Sequence, residues 1–129
     1  MIPRTRVCAA GLAAALLASA PATAFAHHSL AMYDIQHTLD LSGTVKQVRW
    51  TNPHIQFVLV VKTADGAATE WSIEAPSPLT LARRDWKRGA LKVGDKADFE
   101  VHQARDGSST ASLVSASVHG HLIGKPPEA

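Results

Sequence analysis

From Leu39 to Val118 the apolar residues recur at every second position in five short runs, and only once does that period give way to another. Period two marks strands with one face buried, so a chain written this way has to become a small, mostly β structure. Leu39 to Trp50 is the first run. Leu41, Gly43 and Val45 alternate, and the apolar phase then slips to Val48 and Trp50. A one-residue slip is what a β-bulge produces, here near Lys46 or Gln47, and its bend suits a barrel better than a flat sheet. Thr51-Asn52-Pro53-His54 interrupts the pattern, because Pro53 has no N–H to give to a ladder. Ile55 to Thr63 is the second run, with Ile55, Phe57, Leu59 and Val61 on one face. Asp65-Gly66 supplies a hairpin turn. Thr69 to Glu74 is the third run, with Trp71 and Ile73 inward and Glu70, Ser72 and Glu74 toward water. Lys96 to Gln103 and Ala111 to Val118 are the fourth and fifth, joined through Arg105-Asp106-Gly107-Ser108.

The exception lies between the third and fourth runs. Ser77 is a good N-cap, Pro78 fits the first helical position, Leu79, Ala82 and Trp86 share a helical face, and Gly89 can end the helix. Arg83, Arg84, Lys87 and Arg88 fall on its exposed sides and toward its C-terminus, where the helix dipole favours cations without any anionic ligand. Three strands, a helix and two strands is the order of an OB-like barrel, five-stranded, partly open and Greek-key. A β-sandwich would need about seven strands. Such barrels take ligands on the strand 2–3 face and on loops 1–2 and 4–5, which here are Thr51–His54 and Gln103–Thr110. Trp50, Trp71 and Trp86 all fall on apolar faces and are assigned to the core.

Ahead of the barrel, Arg4 and Arg6 form a positive n-region, Val7–Ala20 an apolar run, and Ala24-Phe25-Ala26 a small-residue cleavage site. Residues 1–26 therefore read as a cleaved signal peptide, residues 27–38 as an N-terminal arm, 39–118 as the barrel and 119–129 as a flexible tail. The alanine-rich leader lacks the apolar density of a spanning helix, so no stable membrane anchor is expected after cleavage, and the protein is placed in the bacterial periplasm or outside the cell. Of 13 Lys and Arg against 11 Asp and Glu, the excess of two is Arg4 and Arg6, so the mature chain is neutral before its histidines titrate. Neutral charge and export both argue against a nucleic-acid partner. The single cysteine, Cys8, lies in the leader, which leaves the mature chain without disulfides, thiolate metal sites or haem attachment.

Ala26-His27-His28-Ser29, Gly43-Thr44-Val45, Trp50-Thr51-Asn52-Pro53-His54, Trp71-Ser72-Ile73-Glu74, Leu81-Ala82-Arg83-Arg84 with Trp86, and the stretch Leu91 to Asp95 occur in order along nearly the whole mature chain. In these motifs and their spacing the sequence resembles a family of short exported bacterial proteins that carries only a domain-of-unknown-function label. The resemblance implies export and carries over no catalytic residue.

Cleavage after Ala26 would make His27 the first residue, with two nitrogen donors, the free α-amine and the imidazole, on one residue. His28 adds a second imidazole. His54, its direction fixed by Pro53 at the barrel rim, is the third candidate, and Met32 offers a soft sulfur that would favour Cu(I). Such a nitrogen set suits copper, with zinc or nickel as the other divalent candidates. His119 and His121, two apart, would share a strand face only if the fifth strand continued, His102 points outward on the fourth strand, and His37 has no evident partner. The alternative is a metal-free module that binds a small solute or a periplasmic protein through Thr51, Asn52, His54 and Arg105. No catalytic signature is present: no Gly-x-Ser-x-Gly, phosphate-binding glycine loop or His-Glu-x-x-His. Glu70 with Glu74 and Asp98 with Glu100 share strand faces, and charged side chains without partners are expected in water.

Overall fold

The long strand β1 (Leu39–Arg49) is the one around which the sheet turns. Its first half, Leu39 to Thr44, pairs antiparallel with β4 (Lys96–Gln103), and its second half, Thr44 to Arg49, with β2 (Ile55–Lys62). One strand can serve two neighbours only if it bends, and the register shifts between Val45 and Gln47, where the apolar phase slips. Gly43 lets the strands cross closely at the bend, since a β-carbon there would fall on the carbonyl oxygen of Val60. The computed structural model describes residues 30–126.

β3 (Ala68–Ala75) forms the expected hairpin with β2, and β5 (Thr110–Val118) pairs antiparallel with β4. A short parallel ladder, Ser72–Glu74 against Thr110–Ser112, joins β3 to β5. The strand order β3-β2-β1-β4-β5 thereby returns on itself, and the result is the five-stranded OB-like barrel. Its interior holds Val45, Ile55, Phe57, Leu59, Ile73, Phe99, Val101 and Ala111, each almost fully buried. Phe57 is the aromatic centre, 5.7 Å from Phe99 edge-on and 6.0 Å from Trp86. The strand limits agree with the alternating runs to within one residue. Trp86 belongs to the core, whereas Trp50 and Trp71 are only partly buried against it.

The helix between β3 and β4, α1 (Pro78–Arg83), is shorter than expected and turns a different residue inward. Ser77 Oγ caps Thr80 N at 3.2 Å as predicted. Leu81 is fully buried, while Leu79 is 63% exposed. Gly89 does not end the helix. Asp85 does, in the left-handed region at φ 61°, with Asp85 N–H donating to Ala82 O and Trp86 N–H to Leu81 O. That is a Schellman ending with an aspartate where glycine is usual. It drops Trp86 onto the barrel floor from outside the helix. Of the basic cluster, Lys87 and Arg88 lie beyond the helix, and Arg84 is tied down by donating to Val114 O at 2.9 Å and Lys125 O at 3.3 Å. Burial pushes its guanidinium below the usual arginine range.

The chain after Val118 also departs from expectation. Instead of running free, His119 (φ 53°) and Gly120 (φ 77°) make a two-residue turn into β6 (His121–Leu122). Ile123 then packs on the core, and Lys125 N–H donates to Arg84 O. His119 and His121 therefore lie on different parts of a hairpin rather than on one strand face.

Candidate functional site

Three segments far apart in sequence meet on Glu74. Alternation puts its side chain on the outer face of β3, yet the side chain is only 14% exposed. The cause is barrel closure together with the arm. At its C-terminal end β3 is paired on both sides, Gln56 opposite Glu74 on β2 and Ser112 on β5. The arm then crosses the same end of the barrel. Leu30–Met32 forms one 3-10 turn, Tyr33 bridges to Ala104, Asp34 N–H donates to Gln103 O at 2.9 Å, and Arg105 N–H donates to Met32 O at 2.9 Å. This docking buries Tyr33 to 3% exposure and leaves its arm neighbours Leu30 and Met32 exposed. Glu70, four residues earlier, lies outside this cover: it remains exposed and pairs with Lys46.

Tyr33 OH donates to Glu74 Oε2 at 3.2 Å. Burial, then the carboxylate's charge and the hydrogen bond to it, push the phenol up to about 12, so it stays a donor throughout the neutral range. On the other side, His54 Nδ1 lies 3.3 Å from Glu74 Oε1. His54 ends the loop between β1 and β2, in which the Asn52–Pro53 peptide is cis, and its side chain is 41% exposed. Its second nitrogen, Nε2, has no hydrogen bond among the described residues. Tyr33, Glu74 and His54 thus lie together across arm, strand and loop, one carboxylate oxygen hydrogen-bonded to the phenol and the other within ion-pair distance of the imidazole.

Of the three candidate histidine ligands, His54 is the one whose position is described; His27 and His28 lie outside the described residues. Thr51 and Asn52 are exposed in the same loop as His54. Arg105 points elsewhere, its Nε donating to Ala31 O at 3.1 Å, so the guanidinium helps hold the arm. His37 has a partner after all: its Nδ1 is 2.8 Å from Asp34 Oδ2, a hydrogen bond that holds the Asp34 carboxyl below the usual range. His102 Nδ1–H donates to His37 O at 2.9 Å, which ties the arm's far end to β4. Among the described residues no three of His, Cys, Asp and Glu gather as a metal cluster. A cavity of about 510 Å³ on the outer face of β1, β2 and β4, lined by Ser42, Thr44, Lys62, Lys96, Asp98 and His119, shares no residue with the Glu74 cluster.

Sequence reasoning missed Glu74 and Tyr33. Two signals pointed to them. Tyr33 is the chain's only tyrosine, set in an otherwise exposed arm, and a barrel that must close has to pair β3 on both sides at the end where Glu74 stands.

A family model matches residues 13–113, and its description is a family of unknown function (DUF6152). A search of curated proteins returns no match. Among solved structures, a mitochondrial single-stranded DNA binding protein from S. cerevisiae is similar at 9% identity and a TM-score of 0.47, covering 69% of this chain and 95% of its own.

Proposed function

This chain belongs to DUF6152, a family of unknown function, and from its own residues we propose that it is a small exported metal-binding protein. It works in the bacterial periplasm and holds copper, or another divalent transition metal, between His54 and the terminal pair His27 and His28. Cleavage after Ala26 supplies the α-amine of His27 as a further nitrogen donor. The observation that carries this reading is the shared carboxylate. Tyr33 from the arm and His54 from the loop both reach Glu74, so the arm approaches the barrel on the side where His54 stands. Five residue steps separate Tyr33 from His28, and with Leu30–Met32 wound into a 3-10 turn rising ~2 Å per residue the backbone of His28 stays within ~13 Å of Tyr33, on the side of the barrel that His54 shares. Imidazole and amine nitrogens suit copper best among the common divalent ions, with zinc or nickel next.

The test is a pair of proteins, one with a true His27 terminus and one extended by a single residue. Cu(II) titration of the first is expected to give tight binding that the extension weakens sharply, because the α-amine is then an amide. Saturation at ~100 times the dissociation constant should stabilise the fold by ~2.7 kcal/mol. Equal binding by the two forms, or no shift in melting, overturns the metal reading. The exposed Thr51 and Asn52 beside His54 then favour the second reading, a metal-free module that takes a small solute or a periplasmic protein on loop 1–2.

A further inference from the structure

We infer that the outer face of the segment plugging the barrel, residues 79–93, docks on an anionic lipid surface. Arg83, Lys87, Arg88 and Lys92 meet the headgroups, and Leu79 and Val93 set into the interface. The inference stands apart from the metal reading and its ligands. Between β3 and β4 the chain crosses one end of the barrel, and Leu81, Trp86 and Leu91 enter the core, each at 3% exposure or less. A segment with those side chains in the barrel turns the ones between them to water, and Arg83, Lys87, Arg88, Lys92 and Val93 are all exposed. Ala90 N–H donating to Lys87 O and Asp95 N–H donating to Lys92 O hold the segment in its turns.

The charge on this face is of one sign. Residues 83–92 hold five Lys and Arg and one carboxylate, Asp85, which is already paired with Lys125 at 2.9 Å. Asp95, just beyond, accepts from the backbone N–H of Lys92 at 2.8 Å. Among the described residues, Arg83, Lys87, Arg88 and Lys92 have no ion-pair partner, whereas Lys46 faces Glu70. The helix dipole accounts for Arg83 alone. α1 ends there, and the dipole acts only within the last turn, so Lys87, Arg88 and Lys92 lie beyond it. With 13 basic residues against 11 acidic ones in the whole chain, the attraction is local, and it orients the molecule.

Charge alone would suit any polyanion, and two observations favour lipid. Leu79 at 63% and Val93 at 66% are among the three most exposed large apolar side chains described. A headgroup–acyl boundary takes such side chains, and a phosphate backbone does not. The one aromatic ring of the segment, Trp86, is 2% exposed, so no base can stack on it.

The experiment sediments the form that begins at His27 with two kinds of vesicle, phosphatidylethanolamine with phosphatidylglycerol and phosphatidylcholine alone. Binding is expected to the first and not the second, and it should fall steeply as salt is raised. Each cation near an anionic leaflet is worth about fivefold in partitioning, so Lys87→Gln with Arg88→Gln should weaken binding about 25-fold. Leu79→Gln with Val93→Thr should weaken it about tenfold at unchanged charge. All four positions are exposed, and melting checks that both variants fold. Should the Leu79 and Val93 variant fail to fold, the Lys87 and Arg88 variant and the salt dependence still decide. No binding to the anionic vesicles overturns the inference, as does equal binding to both kinds or full binding by the Lys87 and Arg88 variant. Binding that survives Leu79→Gln with Val93→Thr and is displaced by a single-stranded oligonucleotide or by inorganic phosphate gives the patch to an anion in water, and overturns the lipid surface as well.

Discussion

A methyl group on Gly43 would meet the carbonyl oxygen of Val60 and press on Leu59, and both belong to a strand that cannot retreat without opening the core. Gly43→Ala is therefore expected to destabilise the barrel by ~1–3 kcal/mol, the cost of forcing extra volume into a packed place. Urea unfolding measures it, and an unchanged midpoint would mean that β2 gives way to the added methyl at no cost. Tyr33 gives a second prediction at this scale. Its phenol is raised to about 12 in the folded protein, against about 10 for an unperturbed tyrosine. A group that holds its proton more tightly when folded stabilises the fold fully below the unfolded value. That contribution is lost as pH rises from about 10 toward about 12. Because Tyr33 is the only tyrosine, phenolate absorbance during an alkaline titration reports it alone, and Tyr33→Phe should flatten the fall in stability over that window.

Among the elements, α1 shows where sequence and structure part. The N-terminus was legible, since Ser77 and Pro78 are local signals with local consequences. The C-terminus was not. Gly89 looks like the natural stop, yet the chain turns at Asp85, four residues earlier, because Trp86 gains more by reaching Phe57 in the barrel than by prolonging the helix. A residue other than glycine in the left-handed region costs ~1–2 kcal/mol. Asp85 recovers at most a small part of this through its exposed ion pair with Lys125, 2.9 Å. Asp85→Gly should then raise stability by ~0.5–1 kcal/mol, a rise of several degrees in Tm for a domain of this size. A fall in Tm would show the ion pair to outweigh the backbone strain. The strands behaved differently. Alternation fixed their faces and even the bulge after Val45, because each run carries its own inward set.

On the scale of the whole molecule, the barrel was legible and the site only partly so, for one reason. Strand faces are set by neighbours two residues away, but Glu74 is defined by Tyr33, 41 residues upstream, and by a closure between β3 and β5 that no local pattern announces. His54 could be named from its loop; the carboxylate behind it could not. The same arm that completes the site is held by a narrow margin. Burying Tyr33 removes roughly 150–250 Å² from water, worth ~4–6 kcal/mol. Four hydrogen bonds, from Tyr33 OH, Asp34 N, Arg105 N and Arg105 Nε, add ~1 kcal/mol each. Ordering the backbone of Leu30–Gln36 costs ~1–2 kcal/mol per residue, which nearly cancels the sum. An arm so balanced should open on its own while the barrel stays closed. Native-state hydrogen exchange is expected to show the amides of Asp34 and Arg105 exchanging far faster than those of Phe57 and Ile73. Cu(II) added to the form that begins at His27 should slow the arm amides selectively, since a ligand that grips the end of a marginally held segment stabilises its docked state by mass action. Arm amides that exchange only with the core would mean that arm and barrel unfold as one unit, and that the metal has no separate docking equilibrium to shift.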